Sequence, residues 1–438
     1  MKSMPTIARN DIGDYNTCVS AFLPRAVIIP YEQSSSPSYK CLVQTGDFVK
    51  EGQIIAMPIT DSRGVNAAIT ASVPGVVEDI VRCQLPNGRT GKGVRIKLTG
   101  SFSYCGKKQE KQAWRNLSPD EILKLLLTKG VKNTFLAESS LVHEILRCRM
   151  KHERYLVVRL FDEDPSRLTD TFIGQQCTNE VVEGAAVLAH LIQAQGIVFL
   201  SPKKNSVTID NALVSEFATL NIEIDNNRYP VGYVTPIVKA IKKAVKNTQT
   251  EYFGDININS LFVDASTVYE VYEAVVLAKP ITDRFVHIGG SCLRSSAILK
   301  VKIGTTFRSL CMQCGGFKIK PGKIIVNGML CGTAITDLDT PVTSGVKSVL
   351  CVPNIELFNQ MFVPCIKCGK CRSVCPEQLS PDLLVDALLQ GRTLKHDDTS
   401  IHPVGLQESS VLCLDCSLCN SVCPSRIPIS QIISLYKN

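Results

Sequence analysis

Short apolar stretches separated by glycine turns run from Cys41 to Ile80, in the segments TGDFVKEGQIIAMP and ASVPGVVEDI. Apolar stretches of this length between turn residues predict β-strands. The chain before Phe22 has no clear periodicity, and we predict that it forms an N-terminal arm. The first hundred residues are therefore expected to be mainly β-structure.

Helical and strand patterns alternate from Ser118 to Lys246. The sequence Ser118-Pro119-Asp120-Glu121 is typical of a capped helix start, and the pattern from Val182 to Leu200 predicts a buried helix that runs into a strand. Apolar strands are predicted at Tyr155–Leu160, Gly196–Leu200 and Val207–Ile209. Such alternation favours an α/β layer with parallel strands.

Eight of the nineteen cysteines fall into two runs near the C-terminus, each with the spacing C-x2-C-x2-C-x3-C-P. This is the ligand spacing of [4Fe-4S] clusters in which three thiolates of one run bind one cluster and the fourth binds the neighbouring cluster. We therefore predict two clusters with crossed ligands. The predicted ligands are Cys365, Cys368, Cys371 and Cys423 for the first cluster and Cys413, Cys416, Cys419 and Cys375 for the second.

Zinc and disulfide bonds are the alternatives for these cysteines. Zinc sites commonly combine two ligand pairs separated by a longer stretch. Disulfides need an oxidising compartment, and the sequence has no signal-peptide pattern. The spacing favours clusters over both. A separate C-x2-C pair, Cys311 and Cys314, supplies half of a tetrahedral metal site, and buried free thiols are the interpretation we favour there.

Composition adds little to this interpretation. The 438 residues have a formal net charge of +8, with 45% hydrophobic and 20% charged residues, as is typical of a globular chain of about three domains. This charge does not favour nucleic-acid binding and would suit an acidic electron carrier or an anionic membrane face. No stretch approaches the ~20 apolar residues of a spanning helix, so membrane association is expected to come from partners.

Two segments resemble known modules. The strands after Cys41 resemble the lipoyl-like barrel-sandwich fold, but the expected hairpin tip, Asp61-Ser62-Arg63-Gly64, lacks the lysine that would carry biotin or lipoate. The segment KIGTTFRSLCMQCGG resembles the soluble-ligand-binding β-grasp (SLBB) module.

The order of all these parts resembles the RnfC family of the Rnf electron-transport complex, from about Phe22 to the C-terminus. Further markers are PITDRFVHIGG and NGMLCGTAITDLDTPV. The front domains also resemble the NqrA family of the sodium-translocating NADH:quinone reductase, which lacks the cysteine runs. The resemblance implies a multidomain α/β plus β protein. Its expected parts are the arm (1–22), a barrel-sandwich hybrid domain (23–100), a Rossmann-like α/β domain (117–250), an SLBB β-grasp region (257–350) and a ferredoxin-like α-helical domain with two [4Fe-4S] clusters (355–438).

The resemblance also implies a function. RnfC proteins are peripheral electron-transfer subunits on the cytoplasmic face of the bacterial inner membrane, and their complex couples electron transfer to ion translocation. The implied partners are the other Rnf membrane subunits and a soluble carrier such as ferredoxin, flavodoxin or NADH. The implied cofactors are two [4Fe-4S] clusters, with FMN and NAD(H) in the α/β domain.

The sequence departs from the family at the nucleotide site. The family's glycine-rich loop GxGGAGFP corresponds to KGVKNTFLAESS, from Lys129 to Ser140, with Gly130 as its only glycine. Bulky side chains there would fill the space in which backbone N–H groups approach a phosphate. Lys129, Lys132 and Arg159 are candidates to replace the lost donors with charge.

A second family stretch, NGAECEP, corresponds to residues 159–165. It places Asp162 and Asp164 where the family has glutamates, so these two are candidate ribose or flavin ligands. The alternative is a solvated acidic loop before Pro165.

Three functions therefore remain open: an Rnf-like electron-transfer subunit, an iron–sulfur adaptor that has lost NADH and FMN binding, and a cobalamin-reductase-like relative. The sequence identifies no catalytic acid or base. It leaves open the electron donor, the direction of flow, the coupling ion, the cluster potentials and the oligomeric state.

Overall fold

The computed structural model describes residues 17–32, 39–59, 66–151, 154–203, 207–226, 229–248, 251–354, 362–389 and 410–435. Within these residues the strands form four sheets. No helix in this part of the chain is long and apolar enough to cross a membrane.

Two small antiparallel sheets form the first part, in the strand orders β2-β8-β7-β4 and β3-β5-β6. Val27, Ile55 and Val94 are fully buried in the core between them. The predicted turns at Gly46 and Gly52 are present, and each glycine has a positive φ, 95° and 81°, which suits a residue without a Cβ. The expected hairpin tip at 61–64 lies outside the described residues. The strands are β1 (Cys18–Ser20), β2 (Ala26–Pro30), β3 (Tyr39–Cys41), β4 (Phe48–Val49), β5 (Ile54–Pro58), β6 (Ile69–Thr70), β7 (Gly75–Gln84) and β8 (Thr90–Leu98).

A four-stranded, fully parallel sheet follows, in the order β11-β10-β9-β12. Its strands are β9 (Tyr155–Arg159), β10 (Gly196–Pro202), β11 (Ala218–Ile224) and β12 (Leu261–Asp264). The predicted parallel layer is confirmed, but the strand expected at 207–209 is wrong, because the third strand lies at 218–224. The fourth strand comes from the segment expected to begin the β-grasp region.

Helices cover both faces of this sheet, so alternate strand residues enter two different cores. Leu156 and Val158 pack with most of the helices, whereas Tyr155 and Val157 pack against α5 on the other face. The predicted capping box at Ser118 is present, since its hydroxyl accepts a bond from the Glu121 N–H and Glu121 accepts one from the Ser118 N–H. The helices are α1 (Pro119–Lys129), α2 (Leu141–Arg149), α3 (Thr169–Gln176), α4 (Thr178–Ile192), α5 (Val234–Thr248) and α6 (Ala265–Val271).

A six-stranded mixed sheet comes next, in the order β1-β14-β13-β17-β15-β16. The segment expected to be an arm contributes its edge strand, because β1 pairs in parallel with β14. Cys311 and Cys314 are buried in the core of this unit together with Cys292 and Cys351. Its elements are β13 (Asp283–Gly289), β14 (Ala297–Lys302), α7 (Phe307–Gln313), β15 (Pro321–Val326), β16 (Thr333–Ile335) and β17 (Ser348–Pro353).

The last described part is helical and contains both cysteine runs. Its two longer helices pack together through a small apolar cluster that includes Leu384, Val385 and Ile433. The shorter helices carry the third cysteine of each run. The helices are α8 (Lys370–Val374), α9 (Pro381–Leu389), α10 (Leu418–Ser421) and α11 (Ile429–Leu435).

Candidate metal centres and the adjoining cavity

The second cysteine run meets the last cysteine of the first run. Cys375 lines one small enclosed space together with three cysteines of the second run, Cys413, Cys416 and Cys419. Pro376, Leu418 and other apolar side chains complete its wall. Four thiols from the two runs thus face one space. This is the combination predicted for the second cluster.

The last cysteine of the second run lies beside the first run. Cys423 and Cys371 pack in the same apolar cluster. The backbone just after Cys423 pairs with the backbone just before Cys365: Val363 N–H donates to the Ser425 carbonyl over 3.1 Å, and the Ser425 hydroxyl donates to the Pro364 carbonyl over 3.1 Å. These contacts support the crossed arrangement on this side as well.

The two runs repeat the same backbone conformation. A positive φ occurs two residues after the first cysteine of each run, at Lys367 (54°) and Asp415 (53°). It occurs again at Gly369 and Ser417, and three residues after the last cysteine at Gln378 and Arg426. Three matched left-handed residues in each run turn the chain back repeatedly, which directs the thiols of one run to a common side.

Backbone N–H groups point at two of the sulfur atoms. Lys367 N–H donates to Cys365 Sγ and Leu379 N–H donates to Cys375 Sγ, each over 3.4 Å. Donors of this kind stabilise negative charge on a ligating sulfur and tune the metal that it binds. Two chemically equivalent thiols, one in each predicted ligand set, therefore have local support.

The donor set fits iron–sulfur clusters. The described residues contain no group of three or more His, Cys, Asp or Glu side chains that converges on the position of a single metal ion. A zinc ion would require such convergence, with bonds of about 2.3 Å to sulfur. Thiolates that each bind a different iron of one cluster lie farther apart, so the separation of these thiols is compatible with a cluster.

Burial affects the thiols of the second run strongly. It raises the pKa of Cys416 to about 11 and that of Cys419 to about 12. A bound metal supplies the positive charge that offsets the burial of a thiolate, so metal binding there releases protons.

A cavity of about 570 Å³ adjoins the second run. Cys413, Leu414 and Asp415 form one of its walls. The ionisable side chains of its lining, besides cysteine and tyrosine, are three carboxylates and two cations, Glu138, Glu163, Asp415, Arg167 and Lys347. The charge of this lining does not favour a phosphate.

The cations in the lining are already paired. Arg167 forms an ion pair with Glu163. Lys347 Nζ lies 2.7 Å from Asp170 and also contacts Asp264. Both cations are buried, so a phosphate would have to compete with a carboxylate for each of them.

The segment 129–140 forms part of the cavity wall without free backbone donors at its centre. Asn133 N–H donates to the Ser139 carbonyl, Thr134 N–H to Thr267 Oγ1 and Phe135 N–H to Asn133 Oδ1. The side chain of Leu136 is 46% exposed and lines the cavity. The sequence departure thus has a structural consequence: N–H groups that could bind a phosphate are bonded within the chain.

The basic residues suggested as replacements lie elsewhere. Lys132 pairs with Glu138 and is buried. Arg159 is 0% exposed and donates to the carbonyls of Phe135, Phe161 and Gly232. Neither they nor Lys129 line the cavity, so the idea that these three residues rebuild a phosphate site is wrong.

Asp162 and Asp164 are buried and bonded within the chain. Asp162 accepts bonds from Thr171 and from the Asp170 N–H at the start of α3. Asp164 accepts bonds from Ser166 and from the Leu330 and Cys331 N–H groups. Exposures of 2% and 0% rule out the alternative of a solvated loop. Neither residue lines the cavity, so their role as cofactor ligands stays a prediction that these contacts do not favour.

Two tyrosines connect the cavity with the second run. Tyr229 OH donates to the Cys416 carbonyl over 2.6 Å and lies 3.2 Å from Tyr233 OH. Tyr233 lines the cavity. Burial raises the pKa of both hydroxyls far above the usual value, so they remain neutral. No local sequence pattern indicates this contact, because Tyr229 and Cys416 are 187 residues apart.

Comparison with known proteins agrees with this architecture. Residues 11–101 match the model of the RnfC barrel sandwich hybrid domain, and residues 361–427 match that of the 4Fe-4S dicluster domain. The chain is therefore an iron–sulfur protein with a barrel-sandwich domain. Within that class it is a homologue of the RnfC subunits of ion-translocating oxidoreductases, to which it is related over 83% of its length.

The relatives differ from the chain in length. The C-type subunit of the proton-translocating ferredoxin:NAD(+) oxidoreductase complex of Clostridium ljungdahlii is 25% identical over 83% of this chain and 78% of the relative. The C-type subunit of the ion-translocating oxidoreductase complex of Pectobacterium atrosepticum is 26% identical, and the chain spans 52% of its length. Among solved structures, a polypeptide of an NAD+-reducing [NiFe]-hydrogenase in the H2-reduced state aligns with a TM-score of 0.47 and 13% identity, covering 78% of this chain and 69% of that one.

Proposed function

We propose that this chain is a peripheral electron-transfer subunit of an Rnf-type membrane complex. In this role it holds two [4Fe-4S] clusters that carry electrons between a soluble carrier and membrane subunits, and the complex couples this flow to ion translocation. The single observation that carries the proposal is the pairing of Cys375 with Cys413, Cys416 and Cys419 around one space. This pairing is the arrangement that two interleaved cluster-binding runs require.

The same proposal assigns the finer features. We assign the parallel sheet to a Rossmann-like domain, the six-stranded sheet to an SLBB-like β-grasp unit and the helical end to a ferredoxin-like domain. The domain boundaries and the eight cysteine ligands are those predicted above. Partners would be membrane subunits of the complex and a soluble carrier, on the cytoplasmic face of the membrane.

The residues of the chain supply position and environment. Iron–sulfur clusters supply one-electron oxidation and reduction when they are bound. The matched turns at Lys367 and Asp415 direct the thiols, and the N–H groups of Lys367 and Leu379 support two of the sulfur atoms. Tyr229 holds the loop of the second run against the body of the protein.

A second candidate function is NADH oxidation through FMN. The cavity of about 570 Å³ beside Cys413 favours it, because a cofactor there would lie next to a predicted cluster ligand. The bonded N–H groups at 133–135 and the excess of carboxylates in the lining argue against it. We therefore infer that the carrier that exchanges electrons with this chain is not NADH.

Anaerobic reconstitution of the full chain tests both candidates. We expect iron and sulfide to be incorporated and the visible absorption to bleach on addition of dithionite. We expect no bleaching with NADH, with or without FMN. Bleaching by NADH in the presence of FMN would establish the second candidate, and failure to incorporate iron would contradict both.

A further inference from the structure

The first cysteine run lies on the surface of the protein. Cys365 and Cys368 are exposed. They are surrounded by exposed apolar side chains of the same segment, since Phe362 is 57%, Val363 52% and Ile366 66% exposed. We call residues 362–372 the first-run face.

The first-run face is basic. Residues 362–375 contain Lys367, Lys370 and Arg372 and no aspartate or glutamate. Arg372 donates to both carboxylate oxygens of Asp382, over 2.7 and 2.6 Å. Lys367 and Lys370 are exposed, so their charges face outward beside the two exposed cysteines.

The corresponding residues of the second run are placed differently. Asp415 takes the position of Lys367 and lines the cavity. Leu418, the counterpart of Lys370, is buried with Tyr229 and Tyr233. Of the two runs, only the first offers its cysteines to an external partner.

We propose that the first-run face is the docking surface for an acidic one-electron carrier protein. The inference rests on the proposed function, since it needs a cluster held by Cys365, Cys368, Cys371 and Cys423. One electron passes between that cluster and the carrier, and no bond is made or broken. A small apolar centre with a charged rim is the usual composition of such a transient interface, and opposite charge speeds the encounter.

Charge and size favour a protein over a lipid surface. Segments that bind anionic lipids generally carry clusters of about four to eight Lys or Arg residues, whereas this face has two cations free of Asp382. Contact with anionic headgroups would also bring negative lipid charge to the exposed thiolate ligands. A carrier that accepts an electron gives the exposed cysteines a function that a headgroup does not.

The test compares two charge-reversed variants of the full, reconstituted chain. The first is the double variant Lys367→Glu, Lys370→Glu. The matched control is Lys242→Glu, Lys243→Glu, which makes the same change in net charge on the exposed face of α5. The probe is an acidic ferredoxin, and the readout is the second-order rate constant for its reduction by the dithionite-reduced protein in stopped flow, normalised to iron content. The neutral double variant Lys367→Gln, Lys370→Gln provides an intermediate step.

We expect charge reversal at the first-run face to slow the reaction at least about tenfold at low ionic strength and to remove its inhibition by salt. The glutamine variant should lie between, and the α5 control should stay within about twofold of the parent protein. Equal rates for the two charge-reversed variants would overturn the proposal. Binding of the parent protein to phosphatidylserine vesicles, lost in the first variant while its ferredoxin rate is unchanged, would also overturn it and identify a membrane-facing surface.

The result is separable from that for the proposed function. Methyl viologen is a small cation and needs no docking surface. If parent and variants exchange electrons with methyl viologen but none depends on the first-run face for ferredoxin, the docking inference alone fails. If no preparation incorporates iron or exchanges electrons with methyl viologen, the proposed function fails, and the docking inference fails with it.

Discussion

The two cysteine runs have the same backbone and opposite surroundings. Both turn through positive φ at equivalent positions, including the pair Lys367 and Asp415. The first run exposes two cysteines among lysines and apolar side chains. The second buries Cys416 and Cys419 against the rest of the protein. Cysteine spacing therefore specifies the loop, whereas the neighbouring residues decide whether the loop faces solvent or the interior.

This difference has consequences for electron transfer. Solvent exposure, hydrogen bonds and nearby charge set the potential of an iron–sulfur cluster. Water and lysine stabilise the more negative, reduced state, so the cluster at the first run is expected to have the higher potential. The buried second run lies beside the cavity and the tyrosine pair, which suits exchange within the protein or with a bound molecule.

The largest effect is expected from breaking the exchange of ligands between the runs. Cys375→Ser should remove the cluster of the second run and about half of the iron. Adding Cys416→Ser should cause no further loss, whereas adding Cys368→Ser should remove nearly all of the iron. Iron analysis of the purified variants measures this. If Cys375→Ser and Cys368→Ser instead remove the same cluster, each run binds its own cluster and the crossed arrangement is contradicted.

Access to solvent should separate the two clusters next. We expect an iron chelator to remove about half of the iron at least roughly tenfold faster than the rest, because two first-run ligands are exposed and two second-run ligands are buried. Absorbance of the iron–chelator complex follows the reaction. Cys375→Ser, which keeps only the first cluster, should show the fast phase alone. Cys423→Ser should show the slow phase alone, and a single common rate would contradict the difference in exposure.

Exchanging the charges at the matched turns should narrow the difference in potential. Lys367→Asp removes a positive charge at the first run, and Asp415→Lys adds one at the second. Together they should bring the two potentials closer by some tens of millivolts, a small part of the range that such clusters span. A potentiometric titration measures the shift. Lys242→Asp on α5 is the control and should leave both potentials unchanged.

Removing one hydroxyl should have the smallest effect. Tyr229→Phe deletes the hydrogen bond to the Cys416 carbonyl and should lower the free energy of unfolding by about 1 kcal/mol. It should shift the potential of the second cluster but not that of the first. Tyr233→Phe keeps the bond to Cys416 and should have less effect on that potential. Equal shifts of both clusters would indicate a general loosening of the helical part.

Local sequence patterns predicted much of the fold. The parallel layer, the helix-to-strand segment at 182–200 and the capped start of α1 are all present. The strand at 218–224 was missed because it is a half-exposed edge strand with polar residues. Strand β1 has three residues, too few for a periodic signal, and it forms only through pairing with β14, which is almost 280 positions away in the chain.

The site was less predictable where it depends on distant contacts. Eight cysteines at fixed spacing identified the candidate ligands, because cluster geometry acts over a few residues. Asp164 looked like a solvated or cofactor-binding carboxylate, but it binds backbone N–H groups 166 and 167 residues away. Tyr229 and the cavity lining depend in the same way on how separate sheets and the helical part pack together.

The most direct test of the central claim is an EPR-monitored redox titration of the full, anaerobically reconstituted chain. Two clusters with different surroundings predict two signals that appear at separate potentials. The signal at the higher potential should be absent from Cys423→Ser and the one at the lower potential absent from Cys375→Ser. A single signal in the parent protein, or the loss of the same signal from both variants, would contradict the account of two crossed centres with different surroundings.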